Sequence, residues 1–251
     1  LRNPDVELSA TGNWRATGGA GTVDLTGRVV RVRANEAHRY VPLVAGRTTI
    51  EWLRRALREG RASDGQFVLR GALAQFPWID PAQGQFRVSA RVDDVVLDYV
   101  PEAAPAPGTL AAVGKLWPEL RGIDGRLVFE RDSMEVQATR LTVLGLTSTG
   151  TRARIAHLDA SARVEVNGEV NGPLADFVRY TNASPIGGWL GDFLKGAEAR
   201  GNTRLELQLD IPLATPETTR VNGRLGLKGN DLQLAGGVPA LTRLTGPLAF
   251  T

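Results

Sequence analysis

The stretch WPELRGIDGRLVFE, Trp117–Glu130, is written again near the end of the chain as VPALTRLTGPLAFT, Val238–Thr251. The two agree at Pro118/Pro239, Leu120/Leu241, Gly125/Gly246, Leu127/Leu248 and Phe129/Phe250. The shared rule is a proline, an apolar residue two positions on, a glycine seven on, and apolar residues at nine and eleven. FPWIDPAQGQFRVS follows it through Pro77, Ile79, Gly84, Phe86 and Val88. TPETTRVNGRLGLK follows it through Pro216, Gly223, Leu225 and Leu227, with Thr218 in the apolar place. The starts are unevenly spaced, which describes a degenerate repeat and not a strict solenoid.

Each residue type in the rule has a physical reading. Proline fixes its own φ and has no N–H for a ladder, so it belongs in a turn or at a strand edge. Glycine permits the positive φ of a tight turn. Apolar residues two apart share one face of a strand. Each copy therefore reads as loop, turn, and a strand with one apolar face.

The same period-2 alternation runs outward along the chain. It is present in NWRATGGAGTVDLTGRVVRVRA, GQFVLRGAL, GQFRVSARVDDVVLDYV, GRLVFERDSMEVQATRLTVLGL, SARVEVNGEV, NTRLELQLDIPL and GRLGLKGNDLQL. Phe67 and Leu69 share one face of their segment. Leu205, Leu207, Leu209 and Ile211 alternate with Arg204, Glu206, Gln208 and Asp210, the pattern of an antiparallel sheet wetted on one side. Helices are few. TTIEWLRRALREG predicts one from Thr48 to Gly60, with Ile50, Leu53, Ala56 and Leu57 on one stripe. GTLAAVGKLW predicts a second from Gly108 to Trp117, and Pro173 to Ala197 a helical pair. Strands follow strands, which disfavours a parallel α/β fold. The expectation is one mainly β body over residues 1–251, an elongated, twisted antiparallel sheet forming an open U-shaped groove, with a loop break near residues 101–108.

Composition narrows the function. The net charge is +3, and only Lys115, Lys195 and Lys228 are lysine. Acidic and basic residues are interspersed, so no nucleic-acid partner is expected. The absence of cysteine removes disulfides, thiolate metal sites and cysteine nucleophiles. No apolar run is long enough to span a membrane. A long apolar strand face with few helices to cover it must close on itself or stay open, and an open one in water calls for an apolar occupant.

No constellation reads as catalytic, and no cofactor or metal is expected. His38 and His157 stand in no ligand spacing and read as surface residues. Asp93 and Asp94 lack the further oxygens of a calcium site and read as a turn or solvated edge. GGAG at Gly18–Gly21 lacks the Lys-Ser/Thr ending of a phosphate loop and reads as a hairpin turn. Arg54, Arg55 and Arg58 read as a helix packed on a sheet end, with headgroup contact as the alternative.

IEWLRRALREGRASDGQFVLRGALAQFPW (Ile50–Trp78), DVVLDYVPE (Asp94–Glu102), LWPELRGIDGRLVFERDSMEV (Leu116–Val136), GPLADFVRYTNASPIG (Gly172–Gly187) and the closing repeat resemble the YhdP branch of the AsmA-like proteins. That resemblance implies a section of a longer Gram-negative envelope protein. The whole would be periplasmic and tethered to the inner membrane by an anchor absent from this chain. It would carry phospholipid acyl chains along an apolar β-groove between the inner and outer membranes, without enzymatic activity. The expected groove lining is Phe67, Leu69, Phe86, Val88, Leu127, Phe129, Leu205, Leu207, Leu209, Leu225 and Leu227. The alternative is an envelope assembly scaffold that binds a protein partner through its sheet edges. A carbohydrate-active β-sandwich would need paired carboxylates in a cleft.

Overall fold

The computed structural model describes residues 1–16, 19–41, 46–101, 117–235 and 238–251. They form one thirteen-stranded sheet in which the strand pairings are antiparallel. The strands are β1 (Val6–Arg15), β2 (Thr22–Arg33), β3 (Leu57–Ala72), β4 (Gly84–Leu97), β5 (Leu120–Glu130), β6 (Ser133–Val143) and β7 (Leu146–Ser148). They continue as β8 (Thr151–Ile155), β9 (Arg163–Pro173), β10 (Glu198–Arg200), β11 (Asn202–Pro212), β12 (Arg220–Gln233) and β13 (Leu241–Phe250). The helices are α1 (Arg47–Ala56), α2 (Leu174–Ala183) and α3 (Pro185–Trp189), with a 3-10 helix at Ala34–Arg39.

Neighbours in sequence are neighbours in space, so the sheet is a meander. β7 and β8 together fill one position between β6 and β9. β10 and β11 lie in line along β12, where the buried Asn230 donates through Nδ2 to the carbonyls of Arg200 (3.2 Å) and Asn202 (3.1 Å). β1 and β13 each pair with one strand only, so the sheet does not close into a barrel. At about 4.8 Å per strand it runs roughly 50 Å from edge to edge.

The four strands that carry the repeat are β4, β5, β12 and β13, two adjacent pairs. Each repeat proline lies in the connection just before its strand, as expected. The glycines do not serve as turns. Gly125, Gly223 and Gly246 lie inside strands, Gly84 opens one, and only Gly246 has a positive φ (119°). At Gly84, Gly125 and Gly223 the role is room: a Cβ on Gly125 would stand 2.2 Å from the carbonyl oxygen of Gln137, and one on Gly84 would meet the Trp78 ring at 2.6 Å, whereas one on Gly246 would meet nothing within 4 Å.

Two further expectations are corrected. The first helix stops at Ala56, and Leu57–Gly60 begin β3, because Leu57 pairs with Leu97 and Gly60 takes a positive φ of 101° at an irregularity in the ladder. Asp93 is buried and not solvated. It sits where β4 bulges against β5, accepts a hydrogen bond from Ser63 Oγ (2.9 Å) and pairs with Arg91 (2.7 Å). The helix expected from Gly108 to Trp117 and the loop near 101–108 fall almost wholly outside the described residues.

The α-helices and the 3-10 helix Ala34–Arg39 sit at one end of the sheet, and two three-residue 3-10 helices, Leu73–Gln75 and Pro216–Thr218, at the other. The 3-10 helix and α1 join the end of β2 to the start of β3, and α2 and α3 join the end of β9 to β10 and β11. The buried cluster of Ala34, Val95, Ile123, Ala138 and Leu141 gathers toward the same end, with Leu57, Val92, Leu97 and Leu120 packed on it. The connection Leu73–Gln83 at that opposite end folds inward. Trp78 there is fully buried over Gly71 and Gly84, donates from Nε1 to the Ala72 carbonyl (2.7 Å), and meets Phe76, which meets Phe86.

Candidate functional site

Directly opposed residues in an antiparallel pair project to the same face, so register alone tells which side chains share a surface. Leu25 faces Leu69, and Leu69 faces Phe86. A second row runs from Gly27 through Phe67, Val88, Phe129, Met134, Ile155 and Val164 to Ile211. A third links Ala90, Leu127, Val136, Ala153, Val166, Leu209 and Val221. Gly168, Leu207, Gly223 and Phe250 form a fourth, and Val170, Leu205, Leu225 and Leu248 a fifth, with Leu227 opposite Gly246.

Every expected lining residue, Phe67, Leu69, Phe86, Val88, Leu127, Phe129, Leu205, Leu207, Leu209, Leu225 and Leu227, therefore lies on one and the same face. None of the residues in these rows is charged. All the expected lining residues are half-buried, neither sealed in a core nor fully exposed.

The reverse face is a ladder of charges. Arg152 pairs with Glu135 (2.6 Å) and Arg87 with Glu130 (2.7 Å). Arg163 grips Asp210 through two nitrogens at 2.7 and 2.6 Å, and Arg204 pairs with Glu169. The hydrogen bond from Arg152 holds the Glu135 carboxyl below its ordinary range, and the bond from Arg163 does the same for Asp210. One face has been stripped of charge and the other saturated with it.

The helical end carries polar and aromatic groups that the sequence reading passed over. Tyr99, just after β4, and Tyr180, on α2, join hydroxyl to hydroxyl at 3.0 Å. Burial pushes both hydroxyls above the ordinary tyrosine range. Trp117, just before β5, meets Tyr99 with the rings tilted and their centroids 6.0 Å apart, and meets Trp189 of α3 edge-on at 5.8 Å. The one signal in sequence for this cluster is a tryptophan immediately before the repeat proline; nothing local pairs it with residues some 70 positions on. Trp78 was visible as part of FPW, but its place over Gly71 and Gly84 was not.

Among the described residues no group of three or more His, Cys, Asp or Glu side chains could hold a metal ion. His157 bonds Asp132 at 2.7 Å at the turn end, and that bond raises its pKa. His38 Nδ1 lies 3.0 Å from the Asn35 carbonyl. Arg54 and Arg55 pair with Glu51 on their own helix, and Arg58, on β3, pairs with Asp98. These three arginines are thus engaged with the protein's own carboxylates.

No curated protein and no solved structure matches the chain. A family model described as YhdP protein matches residues 1–251. With that match over its whole length, the chain belongs to the YhdP family.

Proposed function

We propose that the uncharged face of the sheet holds the acyl chains of phospholipid, and that the chain is a section of a periplasmic conduit passing phospholipid between the inner and outer membranes. The observation that carries this reading is the set of unbroken apolar rows, which cross the sheet from strand to strand without a charge while remaining half open. An apolar surface of that extent in water is a liability unless something apolar occupies it. Acyl chains supply such an occupant, and headgroups would stay in water beyond the strand ends. Membership of the YhdP family agrees with this reading. No helix among the described residues is long and apolar enough to cross a membrane, so the tether to the inner membrane is proposed for the longer protein. No catalytic step is proposed.

The test is lipid extraction and mass spectrometry on the chain purified without detergent from a Gram-negative host. Stoichiometric phospholipid is expected, and Leu207→Asp, midway along β11 on this face, should lose it while the protein remains folded by circular dichroism. A lipid-free wild-type protein would overturn the reading. The alternative of an envelope scaffold rests on a different observation: β13 is an edge strand with exposed Leu241, Leu248 and Phe250. A stoichiometric protein partner without lipid, lost when this edge is altered, would favour it.

A further inference from the structure

The end of α3 and the turn after it hold large apolar side chains out in water. Trp189 is 73% exposed, Phe193 63% and Leu190 51%, and among the described residues no other five-residue stretch exposes three large apolar groups. Other groups hold the inward side of the same turn. Gly187 is buried, Ile186 and Leu194 are half-buried, and Asn182 Nδ2 donates to the Leu194 carbonyl (2.8 Å). Trp117 meets the Trp189 ring edge-on at 5.8 Å and leaves most of it bare. The backbone of the turn closes on itself. The N–H groups of Leu190, Gly191, Asp192, Phe193 and Lys195 donate to carbonyls between Ile186 and Asp192, at 2.7 to 3.3 Å. Lys195 is exposed on this turn and has no carboxylate partner among the described residues. Asp192, the acid of the turn, has a further interaction of its own.

We propose that this turn is a membrane-docking tip, which seats Trp189, Leu190 and Phe193 at the headgroup–acyl boundary of an anionic phospholipid bilayer, with Lys195 against the anionic headgroups. A contiguous exposed apolar cluster marks a surface that meets something apolar. The chemistry of this one selects a bilayer. Trp and Phe beside a lysine are side chains that settle at a membrane–water interface, where the rings enter the apolar boundary and the ammonium stays in water. A segment that enters this boundary must satisfy its N–H groups internally, as this turn does. The ammonium of Lys195 is free to complement an anionic headgroup, whereas Arg54 and Arg55 of α1 are already paired with Glu51. The tip stands apart from the lipid-carrying role proposed above, because its residues lie in a connection and not in the apolar rows of the sheet.

The experiment is flotation of the whole chain with phosphatidylethanolamine/phosphatidylglycerol vesicles. The wild-type chain should float with them, and the double variant Trp189→Ser, Phe193→Ser should bind about tenfold more weakly. Trp14→Ser removes another exposed tryptophan, at the opposite end of the sheet, and should float like wild type. An equal loss in both variants would overturn the tip, and so would a wild-type chain that stays behind in the lipid-free fraction. Leu207→Asp separates this proposal from the lipid-carrying reading, and it should float unchanged. Flotation lost in Leu207→Asp but kept in the double serine variant would mean that vesicles meet the apolar face, and the tip would fall. Flotation that depends on the tip, with no phospholipid co-purifying, would sink the lipid-carrying reading and leave the tip standing. Lys195→Gln should weaken binding to these anionic vesicles about fivefold and leave binding to phosphatidylcholine vesicles unchanged. An equal effect on both kinds of vesicle would contradict the headgroup contact. Should the double serine variant fail to fold, Trp189→Phe keeps an apolar ring in place. Vesicles with brominated acyl chains should then quench the tryptophan fluorescence of the wild-type chain and much less that of Trp189→Phe. Equal quenching would put a different tryptophan at the bilayer and overturn the tip.

Discussion

Phe250 stands directly opposite Gly223 across β12 and β13, and its ring fills the space where a Cβ on that glycine would lie, 2.2 Å away. The same device joins Phe67 to Gly27 across β2 and β3, at 2.4 Å. In both pairs an aromatic ring covers a bare stretch of neighbouring backbone on the apolar face. This keeps the face greasy where the sequence places its smallest residue.

The repeat glycines should differ in what they tolerate. At Gly125 the obstacle is backbone, the Gln137 carbonyl and Ala138 Cα, which cannot turn aside. Gly125→Ala is expected to cost about 2 kcal/mol or more. At Gly223 the obstacle is the Phe250 ring on an exposed edge strand, which can swing outward. Gly223→Ala should cost less than about 1 kcal/mol. Urea unfolding midpoints of the two variants check the order, and equal costs would contradict it.

Trp78 closes the turn end of the sheet and is fully buried. Trp78→Ala should destabilise the fold by about 3–5 kcal/mol, and Trp78→Phe by less, because the ring volume over Gly71 and Gly84 is partly kept while the bond to the Ala72 carbonyl is lost. Denaturant titration followed by circular dichroism measures both.

The two faces should answer mutation differently. Arg163 and Asp210 make a bidentate but exposed pair on the charged face, so Arg163→Ala should change stability by less than about 1 kcal/mol. Leu209 is adjacent in sequence to Asp210 but projects to the opposite, apolar face. Leu209→Ala should cost about 1–2 kcal/mol and reduce bound phospholipid, whereas Arg163→Ala should leave lipid content unchanged. Paired unfolding and lipid quantification decide this.

His157 should titrate above its ordinary value because Asp132 bonds and attracts its charged form. A raised pKa in the folded state means that the pair contributes stability below the unfolded value of about 6.5, and that this contribution is lost as pH rises through the folded pKa. The NMR titration of His157 should move down toward that unfolded value in Asp132→Asn. A titration unmoved by the substitution would show that Asp132 is not the cause.

The strands and their faces were legible because alternation is written locally. Leu205, Leu207 and Leu209 declare a shared side without reference to any partner. The boundary at Ala56 was not legible, because the helical stripe continues through Leu57 and only the pairing with Leu97 draws that residue into β3. The buried state of Asp93 was hidden for a similar reason: it depends on Ser63 and Arg91 at a bulge, and a bulge is a property of two strands together.

By itself the sequence determined an antiparallel β protein with one apolar and one charged face, free of cysteine chemistry, because side-chain period and composition are local quantities. Only the tertiary structure decided that the rows join into one surface across the sheet, that β1 and β13 stay open as edges, and that a helical strap ties Tyr180 to Tyr99, 81 positions earlier. Register and long-range docking are set by which backbone groups and side chains find one another in space, and no spacing along the chain encodes that choice.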